Sequence, residues 1–405
     1  MVGVAAPEDT DWNYDTTYAL GLYKTMGRTL GIWPLDNKSF STRMRLAFII
    51  FLQVWTCIDI SKKLLTKSDC GTIIETMDVI SWIVCGLLTA IKVIFLTINK
   101  QKMYPIINSA VKDWSTILDG QSRFIMLQYA YVGRTVAIIQ MSGACIACFI
   151  QLFTRLPFII SLWNDGFNST VTVQGVPPWP SCWVPADITF YHYMFHFIVQ
   201  SFILLVIGTV YNGCDTFFFG IAMHICGQFV VFQKNLRHLH AMNNSILNVN
   251  QLKYFVKRHK YLLELANNFE ETYNLVILIH VGAATVLICA SGIVVLISLQ
   301  SLDLVTIGGM MLRISLTYVI LFMYSYAGEK LCNEVANIQM AVYNTAWYEM
   351  PVTTGKDMIF IIMRCNSPFN LTAGKLCDMN LSNFANIVKS MASYFSILRL
   401  MLMGK

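Results

Sequence analysis

Apolar residues gather in long blocks along this chain, separated by polar stretches. The blocks run over 44–60, 73–98, 125–152, 188–211, 273–298, 304–326 and 381–402. A helix that crosses a bilayer needs about 20 mainly apolar residues. The pattern therefore predicts seven spans, the fourth continuing as one helix to about 235. The last block is two-faced. Asn383, Asn386, Ser390, Ser393, Ile397 and Met401 recur at steps of three or four and share one helical face. Phe384, Ile387, Val388, Met391, Phe395, Leu398 and Leu402 share the opposite face. A polar stripe is costly against lipid, so it must face water or a partner helix. Two readings stand side by side: a pore wall shared by several copies and closed by dewetting at its aliphatic end, or an amphipathic helix packed inside a single-chain bundle.

Outside the blocks, the pattern predicts further elements. Tyr18, Leu22, Met26, Leu30 and Trp33 fall on one face, which reads as a short amphipathic helix at the membrane surface, ended by Pro34. The stretches 233–272 and 327–378 are charged with helical periodicity. Residues 153–187 are rich in Trp and Pro, and suit either a cover over one mouth of the bundle or an interfacial aromatic belt. With no internal repeat and no low-complexity linker, 1–405 is expected to form one domain. Its parts are 1–42 before the spans, 43–326 as a six-helix bundle, 327–378 as an intracellular region, and 379–405 as the last helix and C-terminus.

Composition fixes the class. The chain is 56% hydrophobic and 13% charged, with mean hydropathy +0.55, against roughly 25% charged in soluble domains. The expected fold is an all-α integral membrane protein. The net charge of +6 lies mostly in the polar stretches and calls for no nucleic acid. With the N-terminus cytoplasmic, 19 Lys and Arg fall inside and 6 outside; the positive-inside rule then places the C-terminus outside. The sequon Asn168-Ser169-Thr170 falls in an outer loop, a candidate glycosylation site. Most of the twelve cysteines lie in apolar runs; Cys70 and Cys182 lie in outer loops, and a bridge between them is left open.

Catalytic chemistry is poorly supported. His192 and His196 at i, i+4 have no third ligand in view, so no metal is expected. There is no phosphate-cradling loop and no GxSxG; neither enzyme activity nor a cofactor follows. Lys92 near the end of a span is expected to snorkel. Arg313, nearer mid-span, needs a partner or water. A G-protein-coupled receptor would carry a charged triplet after the third span and NPxxY in the last; here the third runs into Thr154-Arg155-Leu156-Pro157. That class, and a membrane transporter, remain the alternatives.

After residue 324 the chain resembles a known family. Tyr324-Ser325-Tyr326-Ala327-Gly328-Glu329-Lys330-Leu331 is similar to the Y-x-GE-x-L element of insect odorant receptors. Trp347-Tyr348, Pro351, Lys356, Arg364, Pro368, Ala373-Gly374-Lys375, Phe384 and Ser393-Tyr394-Phe395 follow in that family's order. Leu30-Gly31-Ile32-Trp33-Pro34, Trp183, Pro185, Tyr191, Gln200, Asp215 and Gln228 extend the resemblance toward the N-terminus. It implies an odorant-gated cation channel, working as a tetramer with a shared co-receptor subunit. The expected setting is the plasma membrane of olfactory sensory neurons, with lipid, a small volatile odorant and permeating cations as partners. It also implies an anchoring helix near 346–365, a pore helix at 381–402, and an odorant pocket among the second, third, fourth and sixth spans.

Helical faces of those spans then give the expected pocket: Met77, Ile80, Ser81 and Val84; Cys145, Cys148, Phe149 and Leu152; Tyr193, His196, Phe197 and Gln200; Met310, Met311, Ile314 and Tyr318. Most are apolar, aromatic or sulfur-bearing, suited to holding a volatile by burial and dispersion. The expected pore and gate residues are Asn386, Ser390, Ser393, Ile397, Leu400 and Met401.

Overall fold

The computed structural model describes residues 12–36, 39–66, 73–153, 171–172, 187–188, 190–237, 245–345, 348, 352–366 and 369–403. Among these the fold is helical: α1 (Tyr14–Leu30), α2 (Phe40–Thr66), α3 (Ile73–Ile98), α4 (Lys100–Thr116), α5 (Gly120–Phe153), α6 (Phe190–Arg237), α7 (Ser245–Ser301), α8 (Leu304–Tyr343), α9 (Val352–Cys365) and α10 (Leu381–Met403). Two short antiparallel ribbons complete it. β1 (Val171–Thr172) pairs with β2 (Asp187–Ile188), and β3 (Thr372–Ala373) with β4 (Cys377–Asp378).

Six of the seven apolar blocks lie within a helix, and the fourth lies in one from Phe190 onward, its first residue Ile188 belonging to β2. Five helices, α3 and α5 to α8, are long and apolar enough to cross a membrane. At 1.5 Å per residue, the 48, 57 and 40 residues of α6, α7 and α8 reach about 72, 86 and 60 Å. That far exceeds the ~30 Å hydrocarbon layer. The long helices therefore continue past the bilayer, and the charged part of α7, 251–271, belongs to the extension. No proline interrupts 245–301, so charged and apolar parts form one rod.

The main core runs from the apolar spans into this extension. Phe218 of α6 stacks on Phe269 of α7, with ring centroids 5.1 Å apart, and meets Tyr273 edge-on at 4.8 Å. Tyr324 of α8 closes the group at 4.6 Å from Phe218. The stretch after the second span forms α4, which buries Met103, Ile107, Val111 and Trp114. Arg258 of α7 ties it to α6, donating 2.9 Å to Asp113 and 2.7 Å to Gln228.

The first helix packs on the bundle by a face turned from the expected one and sharing Leu30 with it. Its packed face is Ala19, Leu20, Tyr23, Gly27 and Leu30, while Tyr18, Leu22 and Met26 are only half-buried. Tyr23 lies over Gly220 so closely that a Cβ there would meet the ring at 2.2 Å. Glycine is what lets α1 lie on the bundle. Asp15 accepts a 2.9 Å bond from Arg123 of α5, and this hydrogen bond holds its carboxyl below the usual range. Asn13 caps the helix through Thr16, and Gly31 at φ 73° ends it.

Lys92 does not snorkel. Its side chain is 1% exposed and its Nζ sits 2.7 Å from both carboxylate oxygens of Asp215, itself 1% exposed. Tyr324 donates a further 2.6 Å bond to that carboxylate, and the ring of Tyr211 lies 4.0 Å from the ammonium. One ion pair so joins α3, α6 and α8. Removing one partner leaves the other charge buried and uncompensated, at about 3–5 kcal/mol. Lys92→Met should lower the melting temperature of the solubilised protein and its surface yield, while Lys92→Met with Asp215→Asn recovers much of both. Equal losses in the single and double variants would show that packing, not charge pairing, matters there.

Candidate functional site

Beside this ion pair, α3, α5, α6, α7 and α8 line a partly open cavity of about 150 Å³. Ser81, Trp82 and Cys85 line it from α3, and Ala144, Ala147 and Cys148 from α5. Leu204, Ile207, Gly208, Tyr211 and Asn212 come from α6, and Leu287 from α7. Arg313, Leu316, Thr317 and Ile320 come from α8. The space has a steric origin. Three facing positions carry only Ala144, Ala147 and Gly208, and a Cβ on Gly208 would already reach within 3.4 Å of the Cys148 sulfur. Where small side chains of two helices face each other, the helices approach and the third wall stays unfilled.

The wall is mostly apolar, with its polar groups held in place. Ser81 donates to the Met77 carbonyl at 2.8 Å and Thr317 to the Arg313 carbonyl at 2.9 Å. Asn212 donates to the Gly208 carbonyl at 2.8 Å, and its oxygen accepts from Gln140 at 3.2 Å. Arg313 finds the partner its mid-span position demands in Asp78 of α3, at 2.9 Å. Trp82 donates to the other carboxylate oxygen at 3.3 Å, and the guanidinium lies 5.7 Å from its ring. On the opposite side of Tyr211, His280 is fully buried with neither ring nitrogen hydrogen-bonded, 6.0 Å from the Tyr211 ring and 5.2 Å from that of Tyr324. Among the described residues no carboxylate or histidine lines this cavity.

The structure brings two expected pocket residues, Ser81 and Cys148, to this wall. Cys145, Phe149 and Met311 instead face the chain surface. Met77, Ile80, Val84, Leu152, Phe197, Gln200, Met310, Ile314 and Tyr318 are buried or half-buried off the wall; Tyr318 packs toward Met391 and Leu152 against Ile203 and Leu204. The side chains of Tyr193 and His196 lie outside the described residues, as do Asn168, Cys70 and Cys182. The cavity sits about one turn further along α3 and α8 than the expected faces, and several turns further along α6. Trp82, Tyr211, Asn212, Leu287 and Arg313 were missed. The small residues Ala144 and Ala147, spaced for one face of α5, with Gly208 on α6, were the signal that could have found the place.

On α10 the two faces separate as their pattern predicts. Met391 is buried against Ala284, Ile288 and Leu321, and Phe384 meets Phe322 edge-on at 5.8 Å. Gly292 of α7 makes room for Phe395, which a Cβ would meet at 2.6 Å. Asn386, Ser390, Ser393, Ile397 and Leu400 are exposed, with Ile397 at 55% and Leu400 at 73%; the Met401 side chain lies outside the described residues. The start of α10 is latched to α8. Glu329 accepts from the Leu381 N–H at 2.8 Å, and Gly328 leaves room for the Met379 carbonyl, which a Cβ would meet at 2.2 Å. The β3–β4 turn carries Gly374 and Lys375 at φ 60°, and Gly374 donates 2.8 Å to Asn274 of α7. A wider groove of about 970 Å³ runs between α9 and the charged part of α7, lined by Lys253, Lys257, Lys260 and Arg364 among acidic neighbours.

Known proteins match this architecture. Odorant receptor 13a of Drosophila melanogaster is 22% identical over 396 residues, covering 91% of this chain and 92% of that protein. Odorant receptor Or2 of Anopheles gambiae is 23% identical over 316 residues, 75% of this chain and 79% of its own. The odorant receptor coreceptor of Aedes aegypti matches at 23% over 151 residues, 36% of this chain and 30% of its own. In structure, the insect olfactory receptor OR5 from Machilis hrabei, solved alone and in complex with eugenol, superposes with a TM-score of 0.76 in both cases. Identities are 15% and 14%, over 95% and 96% of this chain and 99% and 100% of that one; this likeness speaks for the fold. The profile described as 7tm Odorant receptor matches residues 72–392, and with four-fifths of its length inside that match the chain belongs to the 7tm odorant receptor family.

Proposed function

We propose that this chain is the odorant-binding subunit of a ligand-gated cation channel and that the cavity walled by α3, α5, α6 and α8 is its odorant site. The observation that carries the reading is that cavity: apolar, partly open, walled by helices long and apolar enough to span a membrane, and set in a family fold whose Machilis hrabei member was solved with eugenol. On this reading α2 and α10, about 40 and 35 Å long, join the five apolar helices to make seven spans. The N-terminus is cytoplasmic and the C-terminus outside, in the plasma membrane of olfactory sensory neurons. An epitope at the C-terminus should stain in intact cells; staining only after permeabilisation would rule out this topology and favour a conventional seven-span receptor.

The subunit works in a tetramer with the co-receptor, and α10 lines the shared pore. Ser390 and Ser393 donate to carbonyls of their own helix at 3.0 Å, which leaves hydroxyl oxygens turned to passing cations. Ile397, Leu400 and Met401 form the dewetting constriction. No acidic ring occurs on α10, so discrimination among cations is weak. Ile397→Ser should raise the current without odorant, and Leu398→Ser, from the half-buried face, should not. Equal currents from the two would show that the stripe is not the gate. Charged extensions below the membrane, with the groove beside α9, supply subunit contacts; Lys356 is exposed there, whereas Glu329 is spent on the latch inside the chain.

Odorant opens the channel only through its greater affinity for the open arrangement. The cavity assignment is tested by Ala147→Trp, which fills the cavity. In cells expressing the chain with the co-receptor, the half-maximal concentration for any activating volatile should rise at least about tenfold, at unchanged surface level. An unmoved dose–response would place the odorant elsewhere.

A further inference from the structure

The hydrogen-bond donors of the cavity define what it can hold. The hydroxyl protons of Ser81 and Thr317 are given to backbone carbonyls of their own helices, and the Asn212 amide gives one of its two N–H groups to the Gly208 carbonyl while its oxygen accepts from Gln140. Besides the second Asn212 N–H, two groups keep donors for a guest. A guanidinium carries five N–H donors, and among the described residues Arg313 makes one hydrogen bond, from Nη1 to Asp78. The Tyr211 hydroxyl makes none among the described residues. Asp78 accepts from Arg313 and Trp82 together and balances the guanidinium charge. The wall is thus neutral overall, rich in donors and otherwise apolar.

We infer that the cavity takes neutral volatiles bearing a hydrogen-bond acceptor, a carbonyl oxygen above all, and that Arg313, held by Asp78, is the donor that reads it. The inference rests on the odorant reading of the cavity and adds the ligand class. A pure hydrocarbon would strand the guanidinium donors against an apolar surface, which costs more than the contact returns. A carboxylate would bring a second negative charge beside Asp78, while Lys92, the nearest further cation, is already committed to Asp215. A ketone, aldehyde or ester carbonyl satisfies the donors without adding charge. Discrimination of this kind is strong because a site made for a polar group rejects the analogue that lacks it.

Matched pairs provide the test: 2-hexanone against 2-methyl-1-hexene and 2-heptanone against 2-methyl-1-heptene, with C=O replaced by C=CH₂, and hexanoic acid as the charged arm. In cells expressing the chain with the co-receptor, at least one ketone should activate at a half-maximal concentration about tenfold or more below its alkene, with the acid weaker than both ketones. Asp78→Asn with Arg313→Met removes the donor without stranding a buried carboxylate. It should raise the ketone value by about tenfold, leave the alkene value unchanged or lower, and so close the gap. Surface labelling and the remaining alkene response verify that this variant folds; if it fails to reach the surface, the wild-type ratio decides. An alkene as potent as its ketone, a preference for the acid, silence toward both ketones, or an unchanged ratio in the double variant would overturn the inference. Ala147→Trp separates the two levels. If it spares both members of a pair, the odorant site itself is misplaced; if it silences both while the double variant keeps the ratio, only the role of Arg313 falls.

Discussion

The buried pair between Lys92 and Asp215 constrains this structure more than any other contact. Taking two such ions out of water costs several kcal/mol each, and attraction offsets that only when geometry is good and the remaining hydrogen-bonding capacity is met. Here the ammonium reaches both carboxylate oxygens, Tyr324 supplies a third bond, and the Tyr211 face covers the cation. Each of these groups comes from a different turn of α3, α6 or α8, so the three helices are fixed in one mutual register. Phe218, one turn beyond Asp215, then stacks where it can meet Phe269, Tyr273 and Tyr324. The cavity begins on the other side of Tyr211.

The eighth helix carries this constraint to the rest of the molecule. Arg313, Thr317 and Ile320 line the cavity, Tyr324 bonds the ion pair, and Gly328 and Glu329 hold the start of the last helix. Glu334, two turns on, accepts from Tyr129 of α5 and from Gln233 of α6. A shift of this rod along its axis would disturb all these contacts at once. Such contiguity supplies a mechanical connection between the cavity and α10; it becomes coupling only when both ends are shown to bias one two-state element.

The sequence made the helices legible because apolar periodicity is a local property, and each apolar block falls wholly or, for the fourth, almost wholly inside a helix. The faces of α10 were equally legible: small polar residues recur on one side and large apolar ones on the other. The family-like motif residues were recognisable, but their work was not. Tyr324, Gly328, Glu329 and Gly374 matter through partners 109, 51, 52 and 100 residues away: Asp215, Met379, Leu381 and Asn274. Lys92 misled for the same reason, since a lysine near a span end snorkels by default unless a carboxylate elsewhere in the chain meets it. The cavity was the least legible feature. It depends on which small residues of two helices oppose each other, and a displacement of one turn exchanges most of the lining.

Size gives the cavity its mechanical meaning. About 150 Å³ is the share of roughly five waters in the liquid, and it lies below the ~300–1,000 Å³ usual for ligand pockets. Interiors are close-packed and barely compressible, so a larger guest enters only if the walls move apart. The walls least able to move are those tied to the ion pair, α3, α6 and α8 near Lys92. The remaining wall, Ala144 and Ala147 of α5 with Gly208 and Leu316, carries no polar side-chain group. Expansion on that side disturbs packing contacts, which are individually weak, and leaves the charged network intact. A guest larger than the resting cavity therefore favours, by its own volume, an arrangement that the empty protein populates less. That is the differential affinity any ligand needs in order to shift a conformational equilibrium, and it asks for no contact that the ion pair would have to break.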